Sequence, residues 1–373
     1  MSNDDYNNGF IAVHVGAGNH AESQKKNYQK LCKEACINGI KIIKNGKTYI
    51  DAVVEATKIL ENSPLTNAGY GSNLTLKGGV ECDASIMDGN NLNFGAIGAV
   101  GSIKNPIYLA KCICESQNKR ISHGRIAPNF IVGNGGREWA KEHPEYNIDI
   151  VDNNDLISPK ANKIWNHYKR KIENNKNNDN EDDVDDKIVC KKQKINDDNK
   201  RLDTVGAIFV DKYGNVSSAC SSGGIILKST GRVGQAGVWG CGVWAENGDV
   251  SVASSTTGCG EHLIKTTLAK TLAESIKTNN NTDDYVKNIN DTMMNDFIKS
   301  KYLIDVEQKL GGGIVLRYDK ANNFGELLWT HSTNSMILGY MNSNDDKANS
   351  FVSIMNSQNV GKKVVVEGVG FKL

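Results

Sequence analysis

Short apolar runs and longer amphipathic stretches take turns along the chain. Phe10–Val15 is an apolar run that predicts a buried strand ending in Gly16-Ala17-Gly18. A helix is expected from about Gln24 to Lys44, with Leu31, Ala35, Ile42 and Ile43 among its apolar positions and Asn45-Gly46 as its C-terminal stop. A second helix runs near Tyr49–Leu60 and ends before Ser63-Pro64. After a glycine-rich loop, Asn67-Ala68-Gly69-Tyr70-Gly71, two alternating runs around Glu81–Met87 and Leu92–Val100 flank Asp88-Gly89-Asn90-Asn91, a hairpin signal. Helical and strand signals continue to about Tyr146.

The pattern then collapses. Of the 27 residues from Asn174 to Lys200, 14 are Asp, Glu or Lys and five are apolar, too few to offset the entropy of ordering. The interval from about 147 to 201 is therefore expected to hold a disordered charged loop. Order resumes at Leu202. Thr204–Val210 and Val216–Ser221 read as strands joined by the turn Asp211–Asn215. Glycine-punctuated strands follow to Thr257, then helical patterns at about Glu261–Lys277 and Asp283–Lys299. Closing strands are expected at Gly313–Arg317, Gly325–His331, Met336–Met341 and Val364–Val369. Strands outnumber crossover helices, and hairpins recur. That favours packed, mostly antiparallel sheets with helices outside over a doubly wound parallel sheet.

Composition narrows the possibilities. The length of 373 residues fits two domains or one large one. With 44 Lys+Arg against 43 Asp+Glu, the net charge is +1, which argues against binding nucleic acid through bulk charge. Nine cysteines, an odd number without a CxxC pair, read as reduced intracellular thiols rather than a disulfide framework or a zinc site. The polar N-terminus is unlike a secretory signal, and no apolar run is long enough to span a membrane.

Most candidate motifs fail on inspection. Gly16-x-Gly18 after a strand lacks the acidic residue of a dinucleotide site, and Gly46-Lys47-Thr48 lacks the first glycine of a phosphate loop. The histidines form no HExxH, and His14 and His262 read as structural. What remains is a charged loop ending in Leu202-Asp203, followed at once by Thr204 on a core strand. Threonine alone is a poor nucleophile and an ordinary strand residue. A cut between Asp203 and Thr204 would place a free α-amine, a usable base near neutral pH, beside its hydroxyl.

These residues resemble the threonine aspartases (taspases), N-terminal-nucleophile hydrolases related to the plant-type asparaginases. The resemblance is carried by Ser63–Leu74, Glu81–Gly89, Leu92–Ala99, Ile103–Pro106, Leu202–Ala207, Gly231–Ala236 and Gly258–Leu263. It implies a four-layer αββα sandwich (class α+β) in which segments 1–203 and 204–373 become two subunits of one domain. Thr204 would be the nucleophile, Ser222 its orienting hydroxyl, and the Gly258-Cys259-Gly260 turn the oxyanion donor, with Gly260 foremost. Arg232, Gln235, Asn67 and Cys259 would bind substrate. No metal or cofactor is implied. Substrates would be nuclear transcription regulators with a hydrophobic residue and Asp before the cut. The subunits would assemble as a dimer of heterodimers, without contact to nucleic acid or membrane. The chain would be nuclear and cytoplasmic, with Lys169-Arg170-Lys171 and Lys191-Lys192-Gln193-Lys194 as an import signal. Alternatives are an asparaginase or isoaspartyl peptidase, and a non-catalytic nuclear adaptor.

One departure separates the first two. Asparaginases carry Arg-Val-Gly-Asp where this chain has Arg232-Val233-Gly234-Gln235. In a peptide, aspartate's side-chain carboxylate stands two carbons from its own carbonyl, so an arginine can hold it while the threonine attacks. The aspartate nitrogen is then an uncharged amide, and a neutral Gln235 suits it where an acid would be buried and unpaired.

Overall fold

The computed structural model describes residues 8–178, 204–277 and 284–373. The first part of the chain contributes β1 (Gly9–Gly18), α1 (Lys25–Lys44), α2 (Tyr49–Glu61), β2 (Cys82–Asp88) and β3 (Phe94–Val100). Then come α3 (Pro106–Ser116), β4 (Phe130–Val132), α4 (Asn134–Glu142) and α5 (Pro159–Asn178). The second part supplies β5 (Val205–Asp211), β6 (Val216–Ser222), β7 (Val243–Glu246), β8 (Val250–Gly258), α6 (Gly260–Lys265), α7 (Leu268–Lys277) and α8 (Tyr285–Thr292). It closes with β9 (Gly311–Asp319), β10 (Phe324–His331), β11 (Ser335–Asn342), β12 (Asn349–Ile354) and β13 (Val365–Phe371).

Eight strands form one sheet in the order β12-β11-β1-β5-β6-β2-β3-β4, and five form a second, β13-β10-β9-β8-β7. Every neighbouring pair is antiparallel except β3 and β4. Strands from either side of residue 204 interleave in the larger sheet, with β5 and β6 between β1 and β2. The alternation along β1 shows how the layers stack. Ile11, Val13 and Val15 pack with Leu31, Cys32 and Val53 of the helices outside, whereas Phe10 and Ala12 face the other sheet. Buried on both faces, the strand needs apolar residues at nearly every position, which is why it read as a continuous run. Helices α1, α2 and α3 cover the larger sheet, and α7 and α8 cover the smaller. The fold is the expected α+β sandwich of four layers, αββα.

Local chemistry sets several boundaries. Thr48 caps α2 by accepting the Asp51 N–H while Asp51 accepts the Thr48 N–H, a reciprocal capping box. Gly46-Lys47-Thr48 is thus a helix start. The pattern at Glu261–Lys277 is not one helix. The Thr266 hydroxyl donates to the His262 carbonyl at 2.9 Å, Thr267 turns to φ +42°, and α6 ends before α7 begins. Similarly α8 gives way to a π-helical turn at Met293–Ile298. Strands β4 and β12 are short sheet edges, largely exposed, and β4 is only the three residues Phe130–Val132.

The charged interval from 147 to 201 needs correcting in its first part. Residues 147–178 include a 3-10 turn at Asn153–Leu156 and helix α5. A few anchors order them: Leu156 and Ala161 pack with Leu74, Val80 and Cys82, and the Trp165 indole donates to the Thr75 carbonyl at 2.8 Å. Averaged composition hides three well-placed residues among polar ones. Asp203 and the Lys191–Lys194 cluster lie outside the described residues. Among the described residues no helix is long and apolar enough to cross a membrane, and no cluster of three metal-ligating side chains occurs.

Candidate active site

Thr204 stands one residue ahead of β5, on the face that looks toward the second sheet. Its neighbours along that face are Gly206 and Ile208, and β6 brings Ser222 alongside through the pair Val205–Ser221. The sheets approach closely here. A Cβ on Gly206 would lie 2.0 Å from the Ser255 hydroxyl and 2.5 Å from His14 Nε2, so only glycine fits. His14 Nε2 in turn pairs with the Ser255 hydroxyl at 3.0 Å. Burial pushes the His14 imidazole down to about 3, opposed in part by the Thr204 backbone beside the ring. At neutral pH His14 is therefore an uncharged support behind Thr204.

The Thr204 hydroxyl donates to Ser222 Oγ at 3.0 Å and accepts from Gln235 Nε2 at 3.3 Å. Ser222 Oγ also accepts the Gly224 N–H at 3.0 Å. Three of the expected site residues, the furthest apart 31 positions in sequence, thus meet at one oxygen. Asn67 lines the same cleft without bonding Thr204. Its side-chain amide donates to the Gly224 carbonyl at 2.8 Å and its backbone carbonyl accepts the Gly223 N–H, so it holds the loop that follows Ser222.

Arg232 closes the cleft on the other side. Its Nε and Nη2 donate to Glu261 at 2.8–2.9 Å. This bidentate clamp fixes the plane of the guanidinium, and Arg232 draws the Glu261 carboxyl below its usual range despite partial burial. Backbone packs against the rest of the fork. A Cβ on Gly234 would come within 2.8 Å of Nη1, and one on Gly260 within 2.7 Å of Nη2. Behind the loop, Asp83 accepts the Gly234 N–H and the Ala99 N–H, both at 2.8 Å. It is fully buried, and burial pushes its carboxyl upward against the pull of Lys228 and the two N–H groups. Asp83 thereby ties the Arg232–Gln235 loop to β2 and β3.

The cleft is lined by Asn67, Thr204, Ser222, Gly224, Ile225, Arg232, Gln235, Gly258 and Gly260. Arg232 is the one charged residue among them. Gly260 opens α6, where its N–H has no acceptor a turn earlier. Cys259 differs from expectation. Its N–H donates to the Leu310 carbonyl at 2.9 Å, and its thiol leans toward Glu261, raised by burial and by that carboxylate. It is absent from the cleft lining, so the turn presents Gly260 rather than Cys259. Sequence reasoning did not assign Glu261, Asp83 or His14 to the site. Glu261 stood in plain sight beside Gly260, but its pairing with a residue 29 positions earlier has no local signature.

A four-layer αββα sandwich with a threonine hydroxyl at the start of a central strand defines an N-terminal-nucleophile hydrolase. The chain belongs to the asparaginase family, whose model matches residues 7–349. It is 36% identical over 260 residues to the isoaspartyl peptidase/L-asparaginase of Xenopus laevis, covering 70% of this chain and 73% of that protein. To the isoaspartyl peptidase of Salmonella typhimurium it is 33% identical over 272 residues, 72% of this chain and 78% of the relative. The isoaspartyl peptidase/L-asparaginase of Rattus norvegicus gives 33% over 307 residues, 82% of this chain and 79% of the relative.

Proposed function

We propose that the chain cuts itself between Asp203 and Thr204 and then works as an endopeptidase that hydrolyses the bond after aspartate. The observation that carries this reading is the lining of the cleft: one cation, Arg232, clamped from behind by Glu261, no carboxylate among the lining residues, and neutral Gln235 bonded to the Thr204 hydroxyl. Free asparagine and an isoaspartyl dipeptide both bring an α-ammonium as well as an α-carboxylate. A cleft with Arg232 alone matches the carboxylate and leaves the ammonium without a counter-charge. An aspartate within a peptide brings only its side-chain carboxylate, and its amide suits Gln235.

Under this reading the Thr204 α-amine takes the hydroxyl proton as Oγ attacks the aspartyl carbonyl. Gly260 N–H faces the oxyanion, and the amine returns the proton to the departing nitrogen. Water then hydrolyses the ester and restores Thr204. Ser222 and Gln235 fix the direction of the hydroxyl throughout. Substrates would be proteins with a hydrophobic residue before that aspartate, and the same proposal includes a dimer of heterodimers and nuclear entry through Lys169–Lys171 on α5.

The names of the relatives favour a second reading, an isoaspartyl peptidase or asparaginase, and one assay separates the two. The purified chain is incubated with a Leu-Asp-Gly peptide, a β-aspartyl dipeptide and free asparagine. Cleavage of the first alone is expected, together with a new N-terminus at Thr204. Consumption of the other two with the peptide intact would overturn the endopeptidase reading.

A further inference from the structure

A cavity lined by α5 is separate from the cleft. It measures about 660 Å³, within the range of ligand-binding pockets, and opens between α5 and the segment that follows β1. Helix α5 contributes one stripe to it: Lys160, Lys163, Ile164, His167 and Tyr168, at the spacing of a single helical face. His20 faces the stripe from the loop after β1, and Tyr28, Leu65 and Ile226 supply apolar floor. Its lining mixes basic and aromatic groups, and no carboxylate is among the described residues that line it. The stripe is held in place from behind by the Trp165–Thr75 hydrogen bond.

This cavity shares a wall with the active cleft. Asn67 lines the cleft and Asn73 lines the cavity, and both side-chain amides donate to the Gly224 carbonyl, at 2.8 and 2.9 Å. Ile225 belongs to the cleft and Ile226, the next residue, to the cavity. A peptide long enough to pass over this ridge would reach both. A free amino acid or a dipeptide would not.

We propose that the cavity is a second recognition site, taking an acidic and partly apolar stretch of the substrate that flanks the scissile aspartate. This rests on the endopeptidase reading and deepens it, because it gives the enzyme a means to choose among the many aspartates of a protein. Lys163 and His167 are exposed at the cavity mouth, so they can be reversed in charge without touching the core or the cleft.

Two measurements test the proposal on the full chain. The first compares KM for Leu-Asp-Gly peptides with acidic or neutral flanks on either side, in wild type and in the double variant Lys163→Glu/His167→Glu. An acidic flank on one side is expected to lower KM about fivefold in wild type, and the double variant to erase that gain while leaving the neutral peptide unchanged. The second follows fluorescence anisotropy of a labelled acidic peptide without aspartate, Glu-Leu-Glu-Glu, which cannot be cut after Asp. It should bind wild type, weaken with added salt, and fail to bind the variant. Equal affinity for acidic and neutral peptides, or binding that the double variant leaves intact, would overturn the proposal. So would displacement of the labelled peptide by equimolar acetate, which would mark a small-anion site. If no peptide is cleaved, the endopeptidase reading fails, while anisotropy still decides whether the cavity takes acidic peptide.

Discussion

On the nucleophile side of the cleft, Thr204, Ser222 and Gln235 are neutral, 2–3% exposed, and joined by hydrogen bonds at 3.0 and 3.3 Å. On the opposite side, Arg232 is clamped by a half-exposed Glu261, while a buried Asp83 holds the loop that carries the arginine. The first side orients a proton, and its work depends on geometry within a few tenths of an ångström. The second side presents charge, and its work depends on keeping a flexible cation in one plane. Salt and pH should therefore act on the two sides differently, as screening reaches an open ion pair and hardly touches buried neutral groups.

The largest effect belongs to the neutral side. Thr204→Ala should leave the chain uncut on denaturing electrophoresis and abolish turnover, a loss of about 10⁴-fold or more for a missing nucleophile. A self-cleaving Thr204→Ala variant would defeat the assignment. On the charged side, Arg232→Lys keeps the charge and loses the fork, so kcat/KM should fall about a hundredfold, with most of the loss in KM. Ser222→Ala should lower kcat about tenfold with little change in KM, because it frees the hydroxyl without touching charge. An equal loss in KM would show that Ser222 binds substrate instead. Glu261→Gln should raise KM a few-fold, by roughly threefold, and this variant should also lose part of the salt sensitivity of wild type.

The smallest effect is on stability. His14 is held to about 3, whereas an unfolded histidine titrates near 6.5. Below pH 6.5 the unfolded chain takes up a proton that the folded chain refuses, so stability present above that pH falls as acid is added. The share from His14 is on the order of 2 kcal/mol between pH 7 and pH 5. His331, held to about 4 by burial, adds its own share in the same direction. Denaturant melts of His14→Gln should show a flatter acid limb than wild type. An unchanged limb would mean that His14 is not the buried neutral group behind Thr204.

Much of this site was legible before the fold was known. Thr204, Ser222, Arg232 and Gln235 lie in short blocks whose residue types fit nucleophilic hydrolysis, and the structure brings them around one cleft. Asn67 lines the same cleft and braces Gly224 rather than contacting Thr204. Cys259 has its N–H committed to the Leu310 carbonyl and does not line the cleft. Glu261 and Asp83 escaped notice, and His14 was read as structural without its place behind Thr204, because their partners are distant in sequence: 29 positions for Glu261 and Arg232, 151 for Asp83 and Gly234, and 241 for His14 and Ser255. Helix α5 escaped because a helix held by two anchors, Ala161 and Trp165, has the same average composition as a solvated loop.

Sequence by itself determined the strand and helix periods, the capping box of α2, the charge balance and the pairing of an aspartate with a threonine at 203–204. Those are local properties, set by side-chain spacing and by backbone preferences within a few residues. Only the tertiary structure decided which groups share the cleft, which edge of Arg232 stays clamped, and that a basic cavity adjoins the site across Gly224. Such facts depend on two sheets meeting face to face, and long-range packing of that kind leaves no periodic trace in the chain.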